Sequence, residues 1–236
     1  MTPTLIVTRP DPQGAAFAAA VQRAWGGDLH VILSPLLQIL SVPVAHDLSD
    51  LSGVIFTSFN GVAQAERLRL RTDIPAFCVG DRTAEAARDL GFETITGPGD
   101  AAQLTALIMS KRPIGHLAHI RGRHARGNIA PTLARAGIPC RDIIAYDQQV
   151  LPLTAQAQTA LAGQNPVVVP LFSPRTGAIF AQSRPFEAPL HVVAISGAVL
   201  PPGLPAQTTQ VAATPDGSAM IAATLACLRA LKQPQG

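Results

Sequence analysis

The chain is predicted to be an α/β protein made of two parallel-sheet lobes, one discontinuous and one inserted, joined by a two-stranded β-ladder with a cleft between them. Three observations carry this. Seven short apolar runs each stop at a small polar residue or Gly where a helix can begin: LIVT at Thr8, VIFTS at Ser58, FCVG at Gly80, LAHIRG at Arg121 and Gly122, PLFS at Ser173, VVAIS at Ser196 and QVAAT at Thr214. The runs are rich in Val, Ile and Ala, as strands buried on both faces of a parallel sheet should be. Two long extended segments, 36–44 and 140–150, lack crossover helices and bracket a self-sufficient unit at 45–139. Residues 1–35 and 151–236 complete each other as the second lobe.

The elements follow in order. A strand at 4–8 leads through Pro10 to a helix at 13–25 and a strand at 30–33. The connector at 36–44 has Pro35 and Pro43 at its ends. Next come strand 53–58, helix 60–70, strand 76–80, helix 83–90, strand 93–96, helix 101–110, strand 116–121 and helix 125–136. Gly91 and Gly137 stand where helix C-caps belong. After the second connector come helix 154–161, strand 167–172, helix 176–183, strands 191–196 and 209–213, helix 216–231 and a frayed tail at 233–236.

Composition narrows the function. A hydrophobic content of 47% with 14% charged residues describes a packed globular chain rather than a disordered one. The net charge of +3 suits a polyanionic small molecule. Two lysines and 4% aromatics leave little to grip or stack nucleic acid. Cys78, Cys140 and Cys227 form no CxxC pair and read as free thiols of a reducing compartment. No apolar stretch reaches membrane-spanning length, and the opening residues read as a strand rather than a signal peptide, so the expected location is the cytoplasm.

Known motifs are mostly absent. No GxGxxG follows the first strand, no P-loop occurs, and no GxSxG surrounds a serine. His116 and His119, three apart on a strand, point to opposite faces, and adding His124 builds no metal set. The stops themselves carry the functional signal. Helix N-termini leave unpaired N–H groups that favour anions, and ligands of open α/β sheets sit beyond the carboxyl ends of the strands. Each Ser or Thr is also an ordinary N-cap, which Pro174 and Pro215 one residue later reinforce. Arg9, Arg82, Arg121, Arg123, Arg126 and Arg175 lie near the stops and would form a lip attractive to carboxylates. Tyr146, the one tyrosine, sits in the second connector.

Assembled, these residues resemble the uroporphyrinogen-III synthase family nearly end to end. The likeness rests on VTRP at 7–10, IFTSFNGV at 55–62, VGDRTAEAARDLGF at 79–92 and HIRGRHARGNIAPTLARAGI at 119–138. It continues through AYDQQV at 145–150, LFSPRTGAIF at 171–180, AIS at 194–196 and ATPDGSAM at 213–220. The resemblance implies a cyclising lyase of tetrapyrrole biosynthesis that closes linear hydroxymethylbilane with loss of water and inversion of ring D. It implies no cofactor and no metal. It also implies a monomer, in passing contact with the preceding pathway enzyme.

Tyr146 aligns with a tyrosine often found in this connector of the family and is the expected proton donor to the leaving hydroxyl. In the inserted lobe the expected substrate-binding residues are Ser58, Asn60, Gly61, Gly80, Thr83, Arg121 and Gly122. In the discontinuous lobe they are Thr8, Arg9, Ser173, Pro174, Ser196 and Thr214. Two departures stand out. Pro201, Pro202 and Pro205 should shorten or remove the helix after Ser196, and Pro170 should force its strand to an edge or a bulge. The competing readings are a two-lobe module that binds an anion without turnover, and a regulatory or scaffold protein that keeps the fold.

Overall fold

A computed structural model describes residues 3–124 and 127–232 of the chain. It divides into two compact units, Met1–Gln38 with Gln149–Gly236, and Ile39–Gln148.

The first unit holds β1 (Thr4–Val7), α1 (Gln13–Trp25), β2 (His30–Leu33), α6 (Ala155–Leu161), β9 (Val167–Leu171), α7 (Pro174–Gln182), β10 (Leu190–Ala194), β11 (Thr208–Val211) and α8 (Gly217–Lys232). Its sheet runs β11-β10-β9-β1-β2 with every pair parallel. The three middle strands are buried along their whole length, which is why their sequences are mostly Val, Ile and Leu rather than alternating with polar residues. One core, around Phe180 and Leu190, covers one face, and a second, around Phe17, Met220 and Leu228, covers the other.

Pro170 corrects the sequence reading. It lies in β9, an interior strand, not at an edge. Val167 N–H bonds the Pro189 carbonyl on the β10 side, so by alternation the missing N–H of Pro170 faces β1. Pairing with β1 stops at Leu5↔Val168, two residues earlier, while pairing with β10 runs on through Val193↔Pro170, so the proline interrupts only the β1 side. After Ser196 the prolines leave only a 3₁₀ turn, Gly197–Val199.

The second unit holds β4 (Leu51–Phe56), α2 (Phe59–Val62), β5 (Ala76–Cys78), α3 (Asp81–Asp89), β6 (Thr94–Thr96), α4 (Ala101–Lys111), β7 (His116–Gly122) and α5 (Ile129–Arg135). Two strands, β3 (Leu37–Ser41) and β8 (Cys140–Val150), run through the points where the chain passes from one unit to the other. The sheet order is β3-β8-β7-β4-β5-β6. The five strands β4 to β8 are parallel. Partners descend along β8 as β3 ascends, Leu36 with Leu151 and Val42 with Ala145, so β3 is antiparallel to it.

Segment 140–150 is therefore more than a connector, because it pairs with β7 from Leu117↔Cys140 onward and extends the inserted sheet. Its Ile143 and Ala145 are fully buried in the core of that sheet.

The helix expected at 60–70 is short. After α2 the chain continues in turns closed by i→i−3 bonds such as Gln64 to Gly61 and Arg69 to Glu66, and Arg69 adopts a left-handed φ of 51°. Gly91 and Gly137, at φ 93° and 78°, end α3 and α5 as expected. The expected helix start at Ala125, Arg126 of the arginine lip and the tail at 233–236 lie outside the described residues.

Candidate functional site

Doubly wound sheets place ligands beyond the strand carboxyl ends at the point where successive connections diverge. In the first unit that point falls between β1 and β9, flanked by Thr8 and Ser173. In the second it falls between β4 and β7, flanked by Ser58 and Gly122. Gly80 and Ser196 follow strands one place away, β5 and β10, and Thr214 follows β11, two places from β9.

Electrostatics sharpen the same division. The N-terminus of α8 already holds the carboxylate of Asp216, which accepts from Ala219 N–H, Ser218 Oγ and Thr214 Oγ1. Those bonds, the backbone one first, hold the Asp216 carboxyl well below the usual carboxylate range. Thr214 is thus engaged with its own loop. Asp11 accepts from Ala15 N–H at α1, Asp81 opens α3 beside Gly80 and Thr83, and Asp100 caps α4. Two of the helices at the divergence points differ. Ser58 caps α2 and Ser173 caps α7, and neither helix has an acidic residue in its first turn. A negative charge meets no repulsion from those first turns.

In the second unit, Ser58 Oγ accepts from Gly61 N–H at 3.2 Å and lies 3.0 Å from Tyr146 Oη. Tyr146 is 5% exposed, on β8, with β7 between it and β4. Two local features let the ring cross that strand. The β7–β8 register shifts between Arg121↔Ile144 and Gly122↔Tyr146, so Ala145 and Tyr146 both join the core face. Gly122 supplies the space, since a Cβ there would fall 2.5 Å from Tyr146 Cε2. Gly61 likewise lets α2 settle on β7, because its Cβ would stand 2.7 Å from the Ile120 carbonyl oxygen. Asn60 occupies the same short turn.

On the opposite face of these strands lies a group that the sequence reading missed. His119, 1% exposed, places Nε2 3.0 Å from Thr57 Oγ1 and Nδ1 3.0 Å from Asp142 Oδ1. Arg121 Nη1 donates to Asp142 Oδ2 at 3.0 Å, and the same guanidinium donates to the carbonyls of Gly122 and Arg123. Arg121 was expected to greet substrate, but its charge is already met by Asp142. The hydrogen bond from His119, then the charges of His119 and Arg121, hold the Asp142 carboxyl below its ordinary value. A pocket of about 340 Å³ lined by Val42, His46, Arg123, Asp142 and Ile144 adjoins this group. The available signal was three polar residues, Thr57, His119 and Asp142, each beside an apolar stretch of a strand that the sheet brings into line.

In the first unit, Thr8 is fully buried and its Oγ1 has no hydrogen-bond partner. Arg9 stacks its guanidinium 4.6 Å from the Phe172 ring centroid. Ser173 Oγ accepts from Thr176 N–H at 3.1 Å, with Pro174 in the first helical position. Ser196 makes no side-chain cap bond. Among the described residues no three potential metal ligands gather, and no helix is long and apolar enough to cross a membrane.

The sequence profile of the family described as uroporphyrinogen-III synthase HemD (HEM4) matches residues 18–222. This chain belongs to that family. Its members are cyclising lyases that act on hydroxymethylbilane in porphyrin biosynthesis. Among solved structures the fold is similar to uroporphyrinogen-III synthetase from Helicobacter pylori, with a TM-score of 0.66 at 17% identity over 96% of this chain and 100% of that one. It is also similar to a mutant uroporphyrinogen III synthase from the extremely thermophilic bacterium Thermus thermophilus, with a TM-score of 0.55 at 14% identity over 98% of each chain. A search of curated proteins found no match. At these identities the structural likenesses speak for the fold, and the family rests on the profile.

Proposed function

We propose that Tyr146 is the general acid of the cyclisation and that the neutral helix N-termini at Ser58 and Ser173 collect substrate carboxylates. The observation that carries this reading is the Ser58 Oγ to Tyr146 Oη contact of 3.0 Å at the divergence point of the second sheet. Ser58 accepts from Gly61 N–H and has its own proton to give to Tyr146 Oη 3.0 Å away; in the catalytic arrangement it donates there, which leaves the phenolic proton for the departing hydroxyl. Loss of that hydroxyl as water gives an azafulvenium cation on ring A. The substituted carbon of ring D attacks it, and the resulting spiro intermediate fragments and recloses with ring D inverted.

The free substrate can close by itself without inversion, so the protein's main task is to hold a folded conformation. Positioning of that kind is worth several kcal/mol, and a placed acid adds about 10²–10⁴-fold. Ser58, Asn60, Gly61, Gly122, Thr8, Ser173 and Pro174, with neighbouring N–H groups, hold carboxylates most directly. Arg9 adds charge. Gly80, Thr83, Ser196 and Thr214 lie further out, and Arg121 contributes through the loop it braces. The chemistry draws on no cofactor or metal. The protein acts in the cytoplasm as a monomer, taking substrate in passing contact with the preceding enzyme.

The test is incubation with hydroxymethylbilane, oxidation of the products and separation of the isomers. Type-III product well above the blank is the expected result. Type-I product alone, at the blank rate, would leave a module that binds the anion without turning it over.

A further inference from the structure

Thr57 and Ser58 are consecutive at the carboxyl end of β4, yet their hydroxyls leave by opposite faces of the sheet. Ser58 reaches Tyr146 on β8 over one face of β7. Thr57 reaches Asp142 on the same β8 through His119 on the other. The far end of the second path fixes its first donor. Asp142 is kept ionised by its hydrogen bond with His119 and by the charge of Arg121, and an ionised carboxylate can only accept, so His119 Nδ1 carries a proton and donates it. Its other nitrogen, Nε2, is 3.0 Å from Thr57 Oγ1, a hydroxyl that can donate or accept. His119 is too buried to trade its partners for water.

We infer that Thr57, His119 and Asp142 are positioning residues for Tyr146: they clamp the end of β4 to β8 from behind and fix the Ser58–Tyr146 contact. This rests on the reading of Tyr146 as the acid. A phenol that drifts by a fraction of an ångström still occupies the site but meets the leaving hydroxyl less often, so the loss falls on kcat rather than KM.

The experiment is a double-mutant cycle on type-III formation. Thr57→Val keeps the shape and removes the hydroxyl, and its kcat should fall about five- to twenty-fold with KM changed less than about two-fold. Thr57→Ser should recover most of the loss. In a Tyr146→Phe background, Thr57→Val should cost little more, because the group being aligned is gone. Thermal melts establish that each variant is folded. Should Thr57→Val not survive purification, Asp142→Asn keeps an acceptor for His119 and should show the same kcat-selective, non-additive loss. A wild-type kcat for Thr57→Val, or losses that multiply with Tyr146→Phe, would overturn the clamp while leaving Tyr146 as the acid. An unchanged kcat for Tyr146→Phe alone would overturn both.

Discussion

Gly122 lies under the ring of Tyr146 so closely that a β-carbon there would stand 2.5 Å from Cε2 and 2.8 Å from Cζ. The ring is 5% exposed and has nowhere to retreat without breaking its contact to Ser58. Gly122→Ala should therefore destabilise the fold by about 1–3 kcal/mol through overpacking. It should also lower kcat by more than the unfolded fraction explains. Denaturant melts and kinetics on the same preparation check both. A variant with native stability and rate would mean that the ring does not sit where the proposed chemistry needs it.

Tyr146→Phe should slow type-III formation by about a hundred-fold or more without abolishing it, the remainder coming from conformational control of the substrate. Isomer analysis is the sharper readout. As catalysed closure slows, the type-I product of spontaneous closure should rise in proportion.

Thr8 offers a test in which stability and activity part ways. Its hydroxyl is buried without a partner, a state that costs about 1–3 kcal/mol. Thr8→Val should be neutral or stabilising by up to about 1 kcal/mol. If the hydroxyl holds a substrate carboxylate, KM should rise in the same variant. Thermal melts with and without a non-reacting tetrapyrrole separate the two effects.

The Asp142 carboxyl is held below its ordinary value, first by the hydrogen bond from His119 and then by the charge of Arg121 as well. A depressed folded pKa means that the unfolded chain binds the proton more readily. The stabilisation is complete above the unfolded value of about 4 and is lost as pH falls toward the folded one. Denaturant melts from about pH 7 to pH 3 should show wild-type stability declining at the acid end. Asp142→Asn should be less stable at neutral pH and decline less steeply. Asp50, Asp73, Asp147 and Asp216 are also depressed, so some slope should remain.

Burial pushes the thiols of Cys78 and Cys140 up to about 12 and that of Cys227 to about 11. The thiolate is the reactive form, so iodoacetamide at neutral pH should label the native protein very slowly and all three sites in denaturant. Rapid labelling of any one would indicate local opening around it.

Much of the fold was readable because burial on both faces leaves a coarse mark. Leu5 to Val7, Val167 to Val169 and Val192 to Ala194 are fully or almost fully buried, and each sits in an apolar run that ends at a polar stop. The glycines after α3 and α5 marked their ends because only a left-handed residue fits there. Pro170 misled because the rule against proline in interior strands assumes a full ladder on both sides. Here the β1 side stops at Leu5↔Val168 and the β10 side alone runs on past the proline. The helix after Ser58 was overdrawn because its apolar spacing persists through a stretch that closes in tighter turns.

The candidate site was legible only in part. Ser58, Ser173 and Tyr146 could be picked out as residue types at strand tips, but nothing in one dimension ties position 58 to position 146. Nor does it show that Arg121 and Thr214 spend their side chains on Asp142 and Asp216. What the sequence alone determined was the alternation of strands and helices and the chemistry available at each tip, since both follow from local burial pattern and residue type. Only the tertiary structure decided which tips stand at the divergence points, which helix ends already hold a carboxylate, and that His119 and Tyr146 brace the same strands from opposite faces. Strand order and register bring together residues dozens of positions apart, and no local propensity encodes that pairing.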